Sequence, residues 1–338
     1  MSQALIVGID VSKKDLASAS RGNGVEAEQG KFKNEPGEFD SLSQALNAER
    51  EKQGLTQIHL IVEATGGYEA HLLEYAYAQG WLVSMPNPKQ VRDWAKGVGY
   101  RAKTDRVDAR ILAHYGAERK PPVRPQLAKE VANLDSLLKR RLELEQALHT
   151  EETRLSEMSG RPGLDTEVEA SFKQVIKALT TALEKIQEAI DKLTKSHEPF
   201  KEAKKRLLPL PGVGKKVVLP LMVKLFQWHN ITSGEGDAKG LVSFIGLDPQ
   251  SFESGTSVHK RSGISKMGDS ELRRLLYMGA LGGVRGNNPL KSFYQRLVGN
   301  DKAKKVALVA SARKILVWAW TIFSRNTDWN PDFHKIGA

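Results

Sequence analysis

The chain has 338 residues, which at roughly 100 to 200 residues per domain predicts two or three domains. Hydrophobic residues make up 40% and charged residues 27%, a balance typical of a folded protein rather than a disordered one. The absence of cysteine excludes disulfides, thiolate metal sites and cysteine nucleophiles. No apolar run approaches the roughly 18 residues of a membrane span, and residues 1–8 are too short for a signal peptide, so we expect a cytoplasmic protein without membrane contact.

Strands and helices are predicted to alternate over the first 120 residues. Apolar runs at 4–9 and 58–62 predict buried strands, each followed by a carboxylate, Asp10 and Glu63. The other predicted elements are hairpin strands at 16–20 and 28–32, helices at 36–50, 68–78 and 105–115, and a strand at 81–85. Thr104 is a good N-cap for the helix that starts at Asp105. The β-rich beginning favours an α/β domain with a mixed sheet.

Two long helices are predicted between residues 121 and 200. Apolar residues at helical spacing run from Leu127 to Leu142, and a second run from Phe172 to Leu193 alternates steps of four and three. A Ser-Gly-Arg-Pro-Gly breaker at 159–163 separates the two runs. The pattern predicts an antiparallel coiled-coil hairpin whose apolar stripes form a core or a seam between subunits.

The last third is predicted to be a compact, mostly helical domain. Apolar runs predict helices at 217–226, 270–281 and 306–323, and a Gly- and Ser-rich stretch at 251–268 predicts a loop. Before the first of these helices, Gly212 and Gly214 are followed by Lys215 and Lys216. Two glycines allow a tight turn whose N–H groups contact a phosphate, as in helix-hairpin-helix DNA binders. A plain connection between helices is the alternative.

The positive charge of the chain lies in this last third. The formal net charge is +11, but residues 201–338 carry 23 basic and 10 acidic side chains, whereas residues 1–200 carry 28 and 30. A basic region suits a polyphosphate partner, because lysine and arginine release counterions when they bind nucleic acid. Ordinary surface charge that keeps a protein soluble is the alternative, and the asymmetry favours nucleic acid.

Four carboxylates are candidates for one metal site. Asp10 and Glu63 end buried strands, where an acid is costly without a cation, and Asp105 and Asp108 share one face of a helix. If the four meet at one end of the sheet, they can hold two Mg²⁺ ions, which prefer oxygen ligands and promote phosphodiester displacement. Each acid also has a simpler explanation, since Asp105 and Asp108 complement a helix N-terminus and Glu63 can cap a turn.

Motifs in order along nearly the whole chain resemble one family. The N-terminal motifs are Gly-Ile-Asp-Val-Ser-Lys at 8–13, Glu-Ala-Thr-Gly-Gly-Tyr-Glu at 63–69, Asn-Pro at 87–88 and Ala-Lys-Thr-Asp-Arg-Val-Asp-Ala at 102–109. The C-terminal motifs are Leu-Pro-Gly-Val-Gly at 210–214, Gly-Leu-Asp-Pro at 246–249, Glu-Ser-Gly-Thr-Ser at 253–257, Ile-Ser-Lys at 264–266 and Leu-Arg-Arg at 272–274. The set resembles the DEDD transposases of bacterial insertion sequences, specifically the insertion-sequence-110 class, in which a bridge or seeker RNA guides recombination.

The resemblance implies a fold, a chemistry and partners. It implies a ribonuclease-H-like (RuvC-like) domain over 1–120 with metal-binding carboxylates at Asp10, Glu63, Asp105 and Asp108, a coiled-coil hairpin over 121–200, and a helix-hairpin-helix-like transposase domain over 201–338 whose Ser254 attacks DNA. The expected cofactor is Mg²⁺, with two ions. The expected partners are donor and target DNA, a non-coding guide RNA, and further copies of the chain in a dimer or tetramer, in the bacterial nucleoid.

Residues expected to bind nucleic acid are Gly212, Gly214, Lys215, Lys216, Lys260, Arg261, Lys266, Arg273 and Arg274. Two positions depart from the family pattern. Asp248 stands where related chains often have Thr, and Ala17 stands where Asp is common. Neither position is one of the four acids or the serine.

Three other functions fit parts of the sequence. A metal-dependent RuvC-like nuclease or junction resolvase would use water as nucleophile, and Ser254 would be an ordinary turn serine. An actin-like ATPase or sugar kinase would need a glycine-rich phosphate loop after Asp10, where the chain has Val-Ser-Lys-Lys-Asp. An RNA-binding scaffold would explain the basic region but would leave the carboxylates without a purpose.

Overall fold

The computed structural model describes residues 4–100, 104–159, 165–254 and 258–332, with the backbone alone for 251–254 and 258–262. The chain divides into two compact units, Met1–Gln126 and Leu127–Ala338. Each unit has its own hydrophobic core. The predicted three-part division stays a prediction.

The first unit is a mixed sheet flanked by helices. Its elements are β1 (Ala4–Val11), β2 (Asp15–Gly22), β3 (Val25–Lys33), a 3-10 turn (Pro36–Glu38), α1 (Phe39–Lys52), β4 (Gln57–Val62), α2 (Ala70–Ala78), β5 (Leu82–Ser84), α3 (Pro88–Gly97) and α4 (Asp105–Arg119). The strand order is β3-β2-β1-β4-β5. The pairs β1–β2 and β2–β3 are antiparallel, and β1–β4 and β4–β5 are parallel. The predicted mixed α/β sheet is confirmed, and it fits a ribonuclease-H-like fold.

Alternation along β1 separates the two faces of this sheet. Leu5, Val7 and Ile9 are buried in one core with α1 and α2. Ile6 is buried in a second core with residues of α3 and α4. Because successive side chains of a strand point to opposite faces, Asp10 belongs to the α4 face, together with Ile6.

One local prediction for this unit needs correction, and one helix was missed. The helix predicted over 36–50 begins with a 3-10 turn, and its α-helical part starts at Phe39. Helix α3 was not predicted, because only Val91 and Ala95 are buried along its ten residues. Its start nevertheless follows a common rule, since the Asn87 side chain accepts a hydrogen bond from Lys89 N and Pro88 occupies the first turn.

The second unit is mostly helical. Its elements are α5 (Lys129–Ser159), α6 (Thr166–Ser196), α7 (Glu198–Leu207), α8 (Lys215–Ile231), α9 (Ala238–Ile245), β6 (Pro249–Ser254), β7 (Val258–Ile264), α10 (Ser270–Gly283), α11 (Pro289–Gly299) and α12 (Lys304–Arg325). The stretch predicted as a Gly- and Ser-rich loop instead contains the antiparallel hairpin β6–β7. That prediction was wrong because its polar residues lack the alternation that marks a half-buried strand.

Helices α5 and α6 correspond to the two predicted long helices, and they pack against each other. Between them, Arg141 Nη1 donates a hydrogen bond to Gln187 Oε1 at 3.3 Å. Their ends nearest the rest of the unit are buried, so that Leu134 and Ile190 share a core with Phe200. A coiled coil over their full length stays a prediction.

Among the described residues, one helix is long and apolar enough to cross a membrane by length and composition, α12. Its apolar window is 56% buried within the fold, because the helix lies against α8, α9, α10 and α11. The helix predicted at 306–323 is therefore longer and more apolar than expected, and its burial in the core of the second unit explains its composition.

Candidate active site and nucleic-acid interface

The C-terminal ends of β1 and β4 bring two predicted acids together. Ile9 of β1 pairs in parallel with Val62 of β4, so the next residues, Asp10 and Glu63, lie side by side at one edge of the sheet. Ile61 packs in the core that contains α3 and α4. Glu63, two residues further on, therefore faces the same side as Asp10. We call this edge, with the first turn of α4, the acid edge.

Glycine fixes the position of α4 over the sheet. A Cβ atom on Gly8 would lie 2.1 Å from the carbonyl oxygen of Ala109 and 2.3 Å from the nitrogen of Ala113, so only glycine permits this approach. Nearer the C-terminal end of α4, a Cβ atom on Gly116 would lie 2.7 Å from Ile6 Cγ2. The helix thus runs opposite to β1, and its first turn is directed toward Asp10.

The first turn of α4 carries the other two predicted acids. Thr104 caps the helix by accepting a hydrogen bond from Val107 N at 3.3 Å, as predicted. Asp105 is the first residue of the helix, and Asp108 follows one turn later, directly before Ala109. The fold therefore brings all four predicted carboxylates to the same face and end of the sheet.

Basic side chains neutralise part of the acid edge. Arg92 Nη2 of α3 lies 3.1 Å from Glu63 Oε1, and Lys31 Nζ of β3 lies 3.1 Å from Asp105 Oδ2. The hydrogen bond from Lys31, together with its charge, holds the pKa of Asp105 below its ordinary value. The sequence analysis predicted neither cation, because no local pattern indicates a contact between residues that are 29 or 74 positions apart in the chain.

The four acids are of the ligand type that suits a hard divalent cation, but no three acidic or histidine side chains among the described residues lie close enough together to hold a metal ion. All four candidate donors are carboxylates, which Mg²⁺ prefers, and the acid edge already attracts cationic partners. Asp10, Glu63, Asp105 and Asp108 stay the predicted ligands of the ion.

Glu69 holds the loop that follows Glu63 by three hydrogen bonds. Glu69 Oε2 accepts hydrogen bonds from Thr65 N at 3.2 Å, Thr65 Oγ1 at 2.9 Å and Gly67 N at 3.0 Å. Burial would raise the pKa of Glu69, but these hydrogen bonds outweigh burial and hold the pKa below its ordinary value. Asn34 Nδ2 donates to both Ser12 O and Tyr68 O at 2.9 Å, which ties the loop to the turn after β1.

Ser254, the predicted nucleophile, lies in the second unit. Its backbone ends β6, opposite Val258 of β7. Lys260 and Arg261 belong to β7, and their side chains, like that of Ser254, are outside the described part. The structure places the serine backbone in a hairpin rather than in an open loop.

The Gly212–Gly214 turn connects α7 to α8. Gly212 has a φ of 85°, and a Cβ atom there would lie 2.8 Å from the carbonyl oxygen of Gly279 in α10. Gly214 is the N-cap of α8, and Lys215 and Lys216 are its first, exposed residues. Because the first N–H groups of a helix have no partner within it, this turn offers donors and positive charge to an anion.

The other residues expected to bind nucleic acid have varied surroundings. Arg273 Nη1 donates to the carbonyl oxygen of Ile245 at 2.8 Å, which caps α9. Arg274 forms a two-pronged pair with Glu271 at 2.8 and 2.6 Å. Lys266 has a φ of 56° just after β7. A cleft of about 1520 Å³ runs along the Gly212–Gly214 turn between α5, α8 and α10.

Comparison with known proteins identifies the family. Residues 7–158 match the DEDD transposases of the IS110 type, and residues 204–295 match the family described as Transposase IS116/IS110/IS902. The chain belongs to this transposase family. Its relatives include the pilin gene-inverting proteins of Moraxella bovis and Moraxella lacunata, each 31% identical over 279 residues, which is 82% of this chain and 84% of each relative. The protein is therefore a DNA transposase or recombinase, and the four acids lie within the DEDD match.

Proposed function

We propose that this transposase is an RNA-guided DNA recombinase that excises and inserts an insertion sequence, with a metal site at the acid edge and a serine nucleophile. The observation that supports the proposal is that Asp10 and Glu63 follow one another across adjacent parallel strands, with the first turn of α4, which carries Asp105 and Asp108, directed toward the same end of the sheet. Two Mg²⁺ ions bound to these oxygens would supply activation of the attacking oxygen and stabilisation of the leaving oxygen. In this proposal Asp10 and Glu63 contribute ligands from the sheet, and Asp105 and Asp108 contribute ligands from α4.

Ser254 is proposed as the nucleophile. Its Oγ forms a bond to phosphorus, the bond from phosphorus to one bridging sugar oxygen breaks, the hydroxyl proton is released to solvent, and the freed sugar oxygen takes up a proton. Attack by a sugar hydroxyl of another strand reverses these changes and rejoins DNA. Since a phosphoester bond is kept throughout, the exchange needs no ATP.

Strand rejoining separates a recombinase from a nuclease. The names of the Moraxella relatives state that they invert pilin genes. Inversion requires each broken strand to be joined to a new partner, which hydrolysis alone does not achieve. This supports the recombinase over the metal-dependent nuclease with the same acid edge.

Nucleic-acid binding is proposed to rest on phosphate contacts by the basic second unit. The exposed Lys215 and Lys216 at the start of α8 suit a backbone contact that carries no sequence information. The choice of target is assigned to base pairing with a guide RNA. The protein contacts the nucleic-acid backbone and recognises the shape of the RNA. The site of action is the nucleoid in the cytoplasm.

Self-association is proposed through the long helices. Val168 and Val175 of α6 are 39% and 42% exposed, although they lie on a helix with heptad spacing. Apolar side chains left exposed in this way suit a seam with another copy, in a dimer or tetramer. Such an assembly allows Ser254 of one copy to serve the acid edge of another.

Trapping of the protein–DNA intermediate tests the nucleophile. Wild-type protein, stopped with detergent during reaction on labelled DNA, is expected to give a covalent adduct that Ser254→Ala lacks. Ser251→Ala, three residues earlier in β6, is the matched control and should give the adduct at the wild-type level. Normal DNA cleavage by Ser254→Ala, with no adduct from wild type, would mean that water is the nucleophile.

Mixing two inactive variants tests whether subunits share a site. Asp10→Ala retains Ser254, and Ser254→Ala retains the acids, so a mixture is expected to recover part of the strand exchange that each variant lacks alone. A mixture as inactive as its components would place both halves of the site in one chain.

A further inference from the structure

Three cations of the second unit lie together without a carboxylate. Arg296 is on α11, and Arg313 and Lys314 are on α12. Within the part of the chain that the structure describes, none of the three takes part in an ion pair, whereas Lys224 and Arg274 of the same unit pair with Asp269 and Glu271. This cluster therefore differs from those paired cations of the same unit.

Aromatic rings hold two of these cations in place. Lys314 Nζ lies 5.8 Å from the ring centre of Phe293 and 5.5 Å from that of Trp318, and Arg296 Cζ lies 5.5 Å from the ring centre of Phe293. Trp329 packs against Trp318 with ring centres 5.0 Å apart. Cation–π contacts orient the charged groups but do not cancel their charge, so the cluster stays positive.

The positive charge of Lys314 is costly in this setting. Partial burial, and then the charges of Arg296 and Arg313, lower the pKa of Lys314 below its ordinary value. An anion between the three side chains would remove the repulsion and replace the water that Lys314 has lost. Groups kept in an unfavourable charge state are more often found at binding sites than on neutral surfaces.

We propose that Arg296, Arg313 and Lys314 form a phosphate-binding site for the backbone of a nucleic acid. The site lies on α11 and α12, apart in sequence from the Gly212–Gly214 turn, and it extends the region that contacts nucleic acid to the end of the second unit. Arginine offers paired donors and lysine a point charge, a combination suited to phosphate oxygens. The choice of nucleic acid as the source of phosphate rests on the proposed function.

Removal of one charge tests the site. In Lys314→Met the side chain keeps its apolar stem on the rings but loses its ammonium group. The full chain, titrated with labelled duplex DNA and with single-stranded RNA of equal length at several salt concentrations, is expected to bind about tenfold more weakly. The slope of log affinity against log salt should become shallower by about one. Lys177→Met, at an exposed lysine of α6, is the control. It should change neither the affinity nor the salt slope by a comparable amount.

The source of phosphate follows from which arm changes, DNA, RNA or both. If Lys314→Met does not fold, Arg296→Gln and Arg313→Gln, at exposed positions, carry the same test with the same expected change in slope. Equal behaviour of these variants and the Lys177→Met control would overturn the site. In that case, weaker binding by charge reversal at Lys215 and Lys216 would leave the proposed function standing, whereas wild-type protein that binds neither nucleic acid would remove both.

Discussion

The acid edge of the first unit and the Gly212–Gly214 turn of the second unit are both built on close packing at glycine, yet they present opposite charge. Gly8 lets the backbone of α4 lie directly on β1, which directs carboxylates to one end of the sheet. Gly212 lets the turn before α8 lie on the backbone of Gly279, which leaves N–H groups and lysines at a helix start. Close packing at glycine thus lies beside the proposed cation site in one unit and beside the proposed anion site in the other.

Loss of one acid is expected to have the largest effect. Asp10→Ala, Glu63→Ala or Asp108→Ala should lower the rate of strand cleavage by about a thousandfold or more. Each change removes a proposed ligand of metal ions that would stabilise the transition state by several kcal/mol. Folding and nucleic-acid binding should remain. Cleavage assays should also show activity with Mg²⁺ or Mn²⁺ and poor activity with Ca²⁺, whose looser geometry aligns the reacting oxygens badly. Recombination at the normal rate by Asp10→Ala would rule out the site.

Filling the space at Gly8 should damage both stability and activity. In Gly8→Ala the new methyl group overlaps the backbone of Ala109 and Ala113, so the free energy of unfolding should fall by about 1 to 3 kcal/mol or more, and α4 should shift from the acid edge. Gly97→Ala, which meets nothing within 4 Å, is the control and should leave both quantities near the wild-type values. Thermal unfolding and cleavage assays measure the two effects, and an unaffected Gly8→Ala would contradict the described packing.

Charge reversal at the start of α8 should weaken nucleic-acid binding without changing the acid edge. Lys215→Glu combined with Lys216→Glu should lower affinity for all DNA sequences alike and make the salt dependence shallower by about two, as expected for phosphate contacts. The control is Lys177→Glu with Lys185→Glu on α6. Binding assays on several unrelated duplexes check this, and a loss restricted to one sequence would instead indicate base contacts.

Glu69→Gln should have the smallest effect, mainly on stability. The pKa of Glu69 is lower in the folded protein than its ordinary value, so the ionised form stabilises the fold. The wild type should be more stable than Glu69→Gln by about 1 to 3 kcal/mol at neutral pH. This difference should shrink as the pH falls from the ordinary pKa of a glutamate through the lower pKa of folded Glu69. A difference that is constant down to the acid limit would mean that the carboxylate charge has no role in holding the loop.

The sequence predicted the acid edge better than its surroundings. Local signals marked all four acids, since Asp10 and Glu63 follow apolar runs and an N-cap precedes Asp105 and Asp108. The strand pairing places Asp10 and Glu63 side by side, and their role as metal ligands stays a prediction. Arg92 and Lys31 could not be predicted, because their contacts with the acids depend on which distant elements meet. The β6–β7 hairpin was missed for a different reason, since its polar composition is that of a loop while its pairing is that of a strand.

Counting bound metal ions tests the central claim, that the acid edge is a metal site, most directly. Titration of the full chain with Mn²⁺, followed by electron paramagnetic resonance, is expected to show about two bound ions, as in two-metal phosphodiester enzymes. Asp10→Asn and Asp108→Asn should each lose at least one ion. Asp93→Asn, at an exposed carboxylate of α3, should bind as the wild type does. Equal Mn²⁺ binding by wild type, Asp10→Asn and Asp108→Asn would contradict the claim.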